Sequence, residues 1–115
     1  MSLRVLLAED HALVREAVRE LLNSESDITV VGEAANGEDV LPLIAETQPD
    51  VLVLDIDLPH LNGIHVLKRL RAEGNPLPAL ALSAYLDTHF LDQVRYHRQS
   101  RWLEIESASK APMKP

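Results

Sequence analysis

PDVLVLDIDLPHLNG, from Pro49 to Gly63, is the stretch on which the fold turns. Val51 to Leu54 is wholly apolar, and the carboxylates Asp55 and Asp57 follow it at once. Leu58-Pro59 and then Asn62-Gly63 are turn signals. A short apolar run bounded by turns reads as a strand buried on both faces, the pattern of a parallel sheet. A strand that ends in an acid sets that acid at the carboxyl edge of the sheet, where open α/β sheets bind their ligands. The run Leu3 to Ala8 ends the same way, in Glu9-Asp10. Two acid-ended strands predict a cation site shared between them.

Working outward, strand and helix signals alternate. His11 to Leu22 carries Leu13, Val14, Ala17, Val18, Leu21 and Leu22 at helical spacing, with charges between them. One apolar stripe of this kind predicts a helix whose stripe lies in the core. Ile28 to Val31 is β-branched and predicts a second strand, trailing through Gly32-Glu33-Ala34. Asn36 is placed to cap a helix over about 38–46. Pro42 within that helix predicts a kink or a loose start.

A third helix begins at Asn62 or Gly63, with Ile64, Val66, Leu67 and Leu70 inward, and closes at Gly74-Asn75-Pro76. Leu77 to Leu82 is a fourth apolar run, ending at Ser83. A helix over about 87–97 and a weak fifth strand over 101–105 are expected, then an irregular tail over 107–115. The alternation predicts a doubly wound parallel α/β sheet of five strands in the order 2-1-3-4-5, with the last helix short or missing. That order brings Glu9, Asp10 and Asp55 into one crevice. His60 and His65 lack metal-ligand spacing and are expected at the surface. Arg95, Arg98 and Arg101 read as a solvated face, and Asp57 as a residue whose side chain points away.

Composition sets the outer bounds. The 115 residues are 46% hydrophobic, enough for one domain with a core. The formal charge of -7 argues against a non-specific nucleic-acid surface. The acid is concentrated: residues 1–85 hold 14 acids against 6 bases, and residues 86–115 hold 4 against 5. With no cysteine, thiol catalysis, disulfides and cysteine-based zinc sites are excluded. No apolar run nears the roughly 20 residues of a membrane span, and the start is too short for a signal peptide. A cytoplasmic location is expected, with no membrane partner.

The segments RVLLAEDHALVREAV, VVGEAANGEDVL, PDVLVLDIDLPHLNGIHVLKRLR and ALALSAY, spanning Arg4 to Tyr85, resemble the receiver domain of two-component response regulators. The likeness is to the LuxR-type (NarL/FixJ-like) subgroup. It implies a receiver over 1–106, with Asp55 as phospho-acceptor and a sensor histidine kinase as donor. It implies Mg2+ held by Asp10 and Asp55, by Glu9 through water and by the backbone carbonyl of Asp57. Ser83 matches the hydroxyl that hydrogen-bonds the phosphoryl group. Asp57 and Tyr85 match positions that tune dephosphorylation, and Pro59 and Gly63 the loop that shapes the site. The resemblance also implies a switching module for transcription rather than an enzyme, and DNA contact only through an output domain that this sequence lacks. The missing last helix would leave one sheet face partly bare, and an exposed apolar patch of that kind predicts a homodimer.

After Tyr85 the pattern departs. Trp102 stands for the switch aromatic, and Ile105 stands where the family has a lysine that pairs with the phosphoryl group. Loss of one preorganised charged donor costs on the order of 10²-fold in comparable sites. A pseudo-receiver acting by contact alone is therefore the second reading. A third comes from Asp55-Ile56-Asp57, which resembles the nucleophile motif of haloacid-dehalogenase-type phosphatases.

Overall fold

The computed structural model describes residues 2–82. Their elements are β1 (Leu3–Ala8), α1 (Ala12–Asn23), β2 (Ile28–Ala34), α2 (Val40–Thr47), β3 (Val51–Asp55), α3 (Gly63–Ala72) and β4 (Ala79–Leu82), with a 3-10 turn at Gly37–Asp39 before α2. The strands are all parallel and lie in the order β2-β1-β3-β4, which is the expected order for the first four. The predicted helix over 87–97, the fifth strand, the last helix and the tail lie outside the described residues.

Each apolar run is split by its own two-residue period. Leu6, Ala8, Leu52, Leu54 and Ala79 face one side and pack with Val40 and Ile44 of α2 and Val66, Leu67 and Leu70 of α3. Val5, Leu7, Val51, Val53, Leu80 and Leu82 face the other side and pack with Val18 and Leu22 of α1. Successive strand side chains point to opposite faces, so a strand covered on both sides must be apolar throughout. That is why β1 and β3 read as unbroken runs rather than as alternations.

The first helix departs from expectation. Val18 and Leu22 are buried, but Leu13 is 83% exposed and Val14 43%. Ala17 is exposed as well. The stripe has the right period, but only its C-terminal half is buried among the described residues. The last strand starts later than its apolar run, at Ala79, because Pro78 has no N–H to give a ladder. Its carbonyl still accepts from the Leu52 N–H at 2.9 Å. The second strand extends to Ala34 through an irregularity: Val5 pairs with Val30 and Leu6 with Gly32, leaving Val31 as the extra residue.

Local capping follows the residue types. The Asn36 side chain accepts from the Asp39 N–H at 3.0 Å, and Asn62 accepts from the His65 N–H at 3.0 Å. Pro42 is the third residue of α2, where an amide hydrogen has no partner within the helix, and the expected loose start appears as the 3-10 turn. Gly74, with φ of 80°, ends α3: its N–H donates to the Arg71 carbonyl at 3.0 Å and the Asn75 N–H to the Leu70 carbonyl at 3.1 Å. This paired closure favours glycine at the left-handed position.

By contrast, α2 ends on Gln48, an exposed side chain at φ of 48°. Gln48→Gly is expected to raise stability by about 0.5–1 kcal/mol, because glycine pays no Cβ penalty there. Urea unfolding should show a higher midpoint with an unchanged slope; a lower midpoint would mean that Gln48 makes a compensating contact.

Candidate functional site

Three strand ends build the site. Leaving β1, Glu9 is held at the sheet edge by its own N–H, which donates to the Ala34 carbonyl at 3.0 Å. Its side chain is the single buried charged or polar side chain among the described residues, with the residue 4% exposed. Glu9 Oε2 accepts from the His11 N–H at 2.9 Å and lies 3.1 Å from His11 Nδ1. The Arg15 guanidinium, one turn into α1, donates to the Glu9 carbonyl at 2.8 Å, and its Nε lies 3.5 Å from Glu33 Oε1 on β2. The turn from β1 into α1 is thus pinned from the helix side.

Asp55 is the last residue of β3, paired in register with Leu82. Leu54 before it is fully buried, while Asp55 is half-buried and faces the crevice. The Asp57 N–H donates to Asp55 Oδ1 at 3.2 Å. The loop that follows is tied down at both ends. The Pro59 carbonyl accepts from Gly37 N–H at 3.1 Å and from Leu61 N–H at 2.8 Å, and the Gly63 N–H donates to the Ile56 carbonyl at 2.8 Å. Gly63 is packed so closely that a Cβ there would stand 2.7 Å from the Asp55 carbonyl oxygen and 2.9 Å from Ile56 Cα. His60 and His65 are exposed, as expected, and His60 takes the left-handed φ of 71°.

The acids share a cavity of about 480 Å³ lined by Glu9, His11, Val14, Asp55, Asp57 and Leu82, with Ile56 beside them. One ligand atom each from Glu9, Asp10, His11 and Asp55 fall within 4.8 Å of one another. Asp10 Oδ1 is buried and has no hydrogen-bond partner among the described residues, although His11 Nδ1 stands 3.4 Å away. Burial raises the Asp55 carboxyl above its ordinary value; the Asp57 N–H opposes this, and the charges of Glu9, Asp57 and Asp10 add to it. His11 is also raised, by its hydrogen bond to Glu9 and the charges of Asp10, Glu9 and Asp55.

Converging carboxylates, an orphaned oxygen and a destabilised anion are what a small hard cation relieves. The residues therefore fit Mg2+, which would be held by Asp10 and Asp55 with Glu9 behind. Glu9, Asp10 and Asp55 come together as the sequence led one to expect, and Asp57 lines the same cavity. Ser83, Tyr85, Trp102 and Ile105 lie outside the described residues. His11 was missed in the sequence, although its place directly after the acid pair was a signal. Arg15 was among the charges between the apolar positions of the first helix, with no site role assigned to it.

A parallel α/β sheet with an acidic crevice at the carboxyl ends of its two central strands defines a ligand-binding module of the doubly wound class. The sequence matches the response regulator receiver domain family over residues 5–99, and the chain belongs to that family. Its relatives include the nitrate/nitrite response regulator protein NarL of Escherichia coli, 43% identical over 70 residues, which are 61% of this chain and 32% of that protein. Another is the protein-glutamate methylesterase/protein-glutamine glutaminase of Bacillus licheniformis, 43% identical over 82 residues, 71% of this chain and 23% of that protein. The match thus spans a quarter to a third of these relatives' length. In structure the chain is similar to the signal receiver domain of the putative response regulator NarL from Mycobacterium tuberculosis, with a TM-score of 0.69 at 28% identity, covering 99% of this chain and 98% of that one. No helix among the described residues is long and apolar enough to cross a membrane.

Proposed function

We propose that this chain is a phospho-accepting receiver that takes a phosphoryl group onto Asp55 from a sensor histidine kinase. The observation that supports it most is the convergence of Glu9, Asp10 and Asp55 at adjoining strand ends. An Asp55 carboxylate oxygen attacks phosphorus, the bond to the donor breaks, and the product is an acyl phosphate on Asp55. Bound Mg2+ would supply charge neutralisation for the transferring group. The protein's own share is positional. The Asp57 N–H orients one Asp55 oxygen, leaving the other free to react. Glu9 and Asp10 would hold the cation side, and the family resemblance assigns the backbone carbonyl of Asp57 and the Ser83 hydroxyl to the same task.

The added charge would then alter the loop after β4, with Tyr85 and Trp102 as switch positions, and change contacts with a kinase, a second copy or an output partner. On this reading the receiver occupies residues 1–106, works in the cytoplasm as a signalling module rather than an enzyme, and serves transcription regulation through an output domain elsewhere. The haloacid-dehalogenase-type reading of Asp55-Ile56-Asp57 ranks last, because the family match covers most of the chain. A pseudo-receiver remains the second reading, favoured by Ile105 in the lysine position.

The test is intact mass after incubation with Mg2+ and acetyl phosphate. The expected result is one phosphoryl adduct that Asp55→Ala abolishes and Ile105→Lys forms about 10²-fold faster. An absent adduct in both the natural chain and Ile105→Lys would sink the proposal in favour of contact-only signalling.

A further inference from the structure

Glu9 and Asp10 are joined by a peptide unit whose carbonyl is held from the next element. We propose that Arg15 is a positioning residue for the crevice: its guanidinium, anchored on Glu33, fixes the Glu9–Asp10 peptide and so presets the two carboxylates for Mg2+. The inference rests on the reading of the crevice as a Mg2+ site. Arg15 Nη1 donates to the Glu9 carbonyl at 2.8 Å, and Arg15 Nε lies 3.5 Å from Glu33 Oε1 on β2. A peptide unit is rigid and planar, so a bond to the Glu9 carbonyl also sets the direction in which the chain enters Asp10. That direction matters because the buried Asp10 Oδ1 has no hydrogen-bond partner among the described residues, with only the exposed His11 ring 3.4 Å away. The Asp10 carboxylate is thus aimed by the backbone that carries it.

The anchor is itself held from two sides. The Arg15 and Glu33 side chains are only 23% and 29% exposed, so salt screens this pair less than one in open solvent. Arg19, one turn further along α1, places Nη1 3.3 Å from Glu33 Oε2. A planar guanidinium can engage a carboxylate and a carbonyl with different nitrogens at once, which the single nitrogen of a lysine cannot do. The Arg15 charge, by contrast, works against the site, since a guanidinium repels a divalent cation nearby. Positioning and charge therefore call for opposite results when the guanidinium is removed. Loss of the clamp leaves Mg2+ to order the peptide before it can bind, and affinity falls. Loss of the charge alone would raise affinity.

Mg2+ titrations of the chain, followed by the amide resonances of Glu9 and Asp10, compare the natural protein with Arg15→Gln, Arg15→Lys and Arg19→Gln. The two Gln variants remove the same charge from adjacent turns of α1, and each loses an ion pair to Glu33. Of the two arginines, Arg15 alone donates to the Glu9 carbonyl. Arg15→Gln should bind Mg2+ about 10-fold more weakly, the lower end of what loss of an outer partner costs a metal site. Arg19→Gln should keep nearly the natural affinity, while melting temperatures fall by similar small amounts in both. Arg15→Lys keeps the charge and the stem but spans one partner at a time, so it too should bind more weakly than the natural chain. Unchanged or tighter binding in Arg15→Gln would overturn the proposal and leave the receiver reading intact. Natural affinity in Arg15→Lys would overturn it as well, and so would an equal weakening in Arg19→Gln, which would make the ion pairs of Glu33 the cause. A natural chain whose resonances Mg2+ does not move would end both this proposal and the Mg2+ site beneath it.

Discussion

Gly63→Val is expected to lower the melting temperature by on the order of 15 °C, the scale of about 3 kcal/mol in a domain of this size. The cause is contact rather than propensity. A Cβ at this buried position would already stand 2.7 Å from the Asp55 carbonyl oxygen, 2.9 Å from Ile56 Cα and 3.2 Å from Leu54 Cγ. Two of those three atoms are backbone, so no side chain can swing away. Relief requires α3 to lift off the end of β3, which strains the Gly63 N–H bond to the Ile56 carbonyl. Overpacking of this type costs about 1–3 kcal/mol even where side chains can adjust. Gly63→Ala should fall between the two. Thermal unfolding followed by circular dichroism measures it; a Val variant melting within a degree or two of the natural chain would show that the end of β3 is loosely packed. The same displacement would move Asp55, so residual folded Gly63→Val should also bind Mg2+ less well.

Asp55→Asn is expected to stabilise the metal-free protein near neutral pH and to reverse that order once Mg2+ is added. Burial and the neighbouring charges of Glu9, Asp57 and Asp10 raise the Asp55 carboxyl, so its ionised form is disfavoured in the fold. Between the unfolded and folded values the native state binds more protons, and stability therefore falls as pH rises through that interval. Below about pH 4 both states are protonated and the penalty vanishes. The advantage of Asn should accordingly be full at neutral pH and shrink on acidification. Partial exposure screens the charges, so the gain is about 1 kcal/mol or less. Mg2+ at 100 times its dissociation constant would add about 2.7 kcal/mol to the natural chain and much less to the variant. Melting curves at pH 7 and pH 4, with and without Mg2+, test both halves. A variant less stable than the natural chain in metal-free buffer at pH 7 would refute the electrostatic account.

Much of this was legible because strands and acids obey local rules. The unbroken apolar runs of β1 and β3 announced burial on both faces, and the acids closing them announced the sheet edge. Asn36 and Asn62 announced the caps they make. The stripe of α1 misled because periodicity records which residues share a face, not how far along the helix that face is covered. Leu13 and Val18 share one pattern and end in opposite environments. His11 escaped because spacing rules look for pairs on one element, whereas here the residue directly after the acids turns back onto Glu9 and Asp10 at the strand end. The way the Glu9 backbone is held was not legible either, because the Ala34 carbonyl and Arg15 that fix it lie on other elements.

The passage from Leu54 to Asp55 crosses from a fully buried position to the open crevice within one residue. Chemistry and packing thus occupy adjacent positions on the same strand without sharing atoms. A lineage carrying this sheet can replace the acid, alter what it binds or silence it without repacking the Leu52–Leu54 layer beneath. Inheritance of the scaffold and inheritance of the activity are therefore separable, and a descendant can lose its reaction while its shape persists.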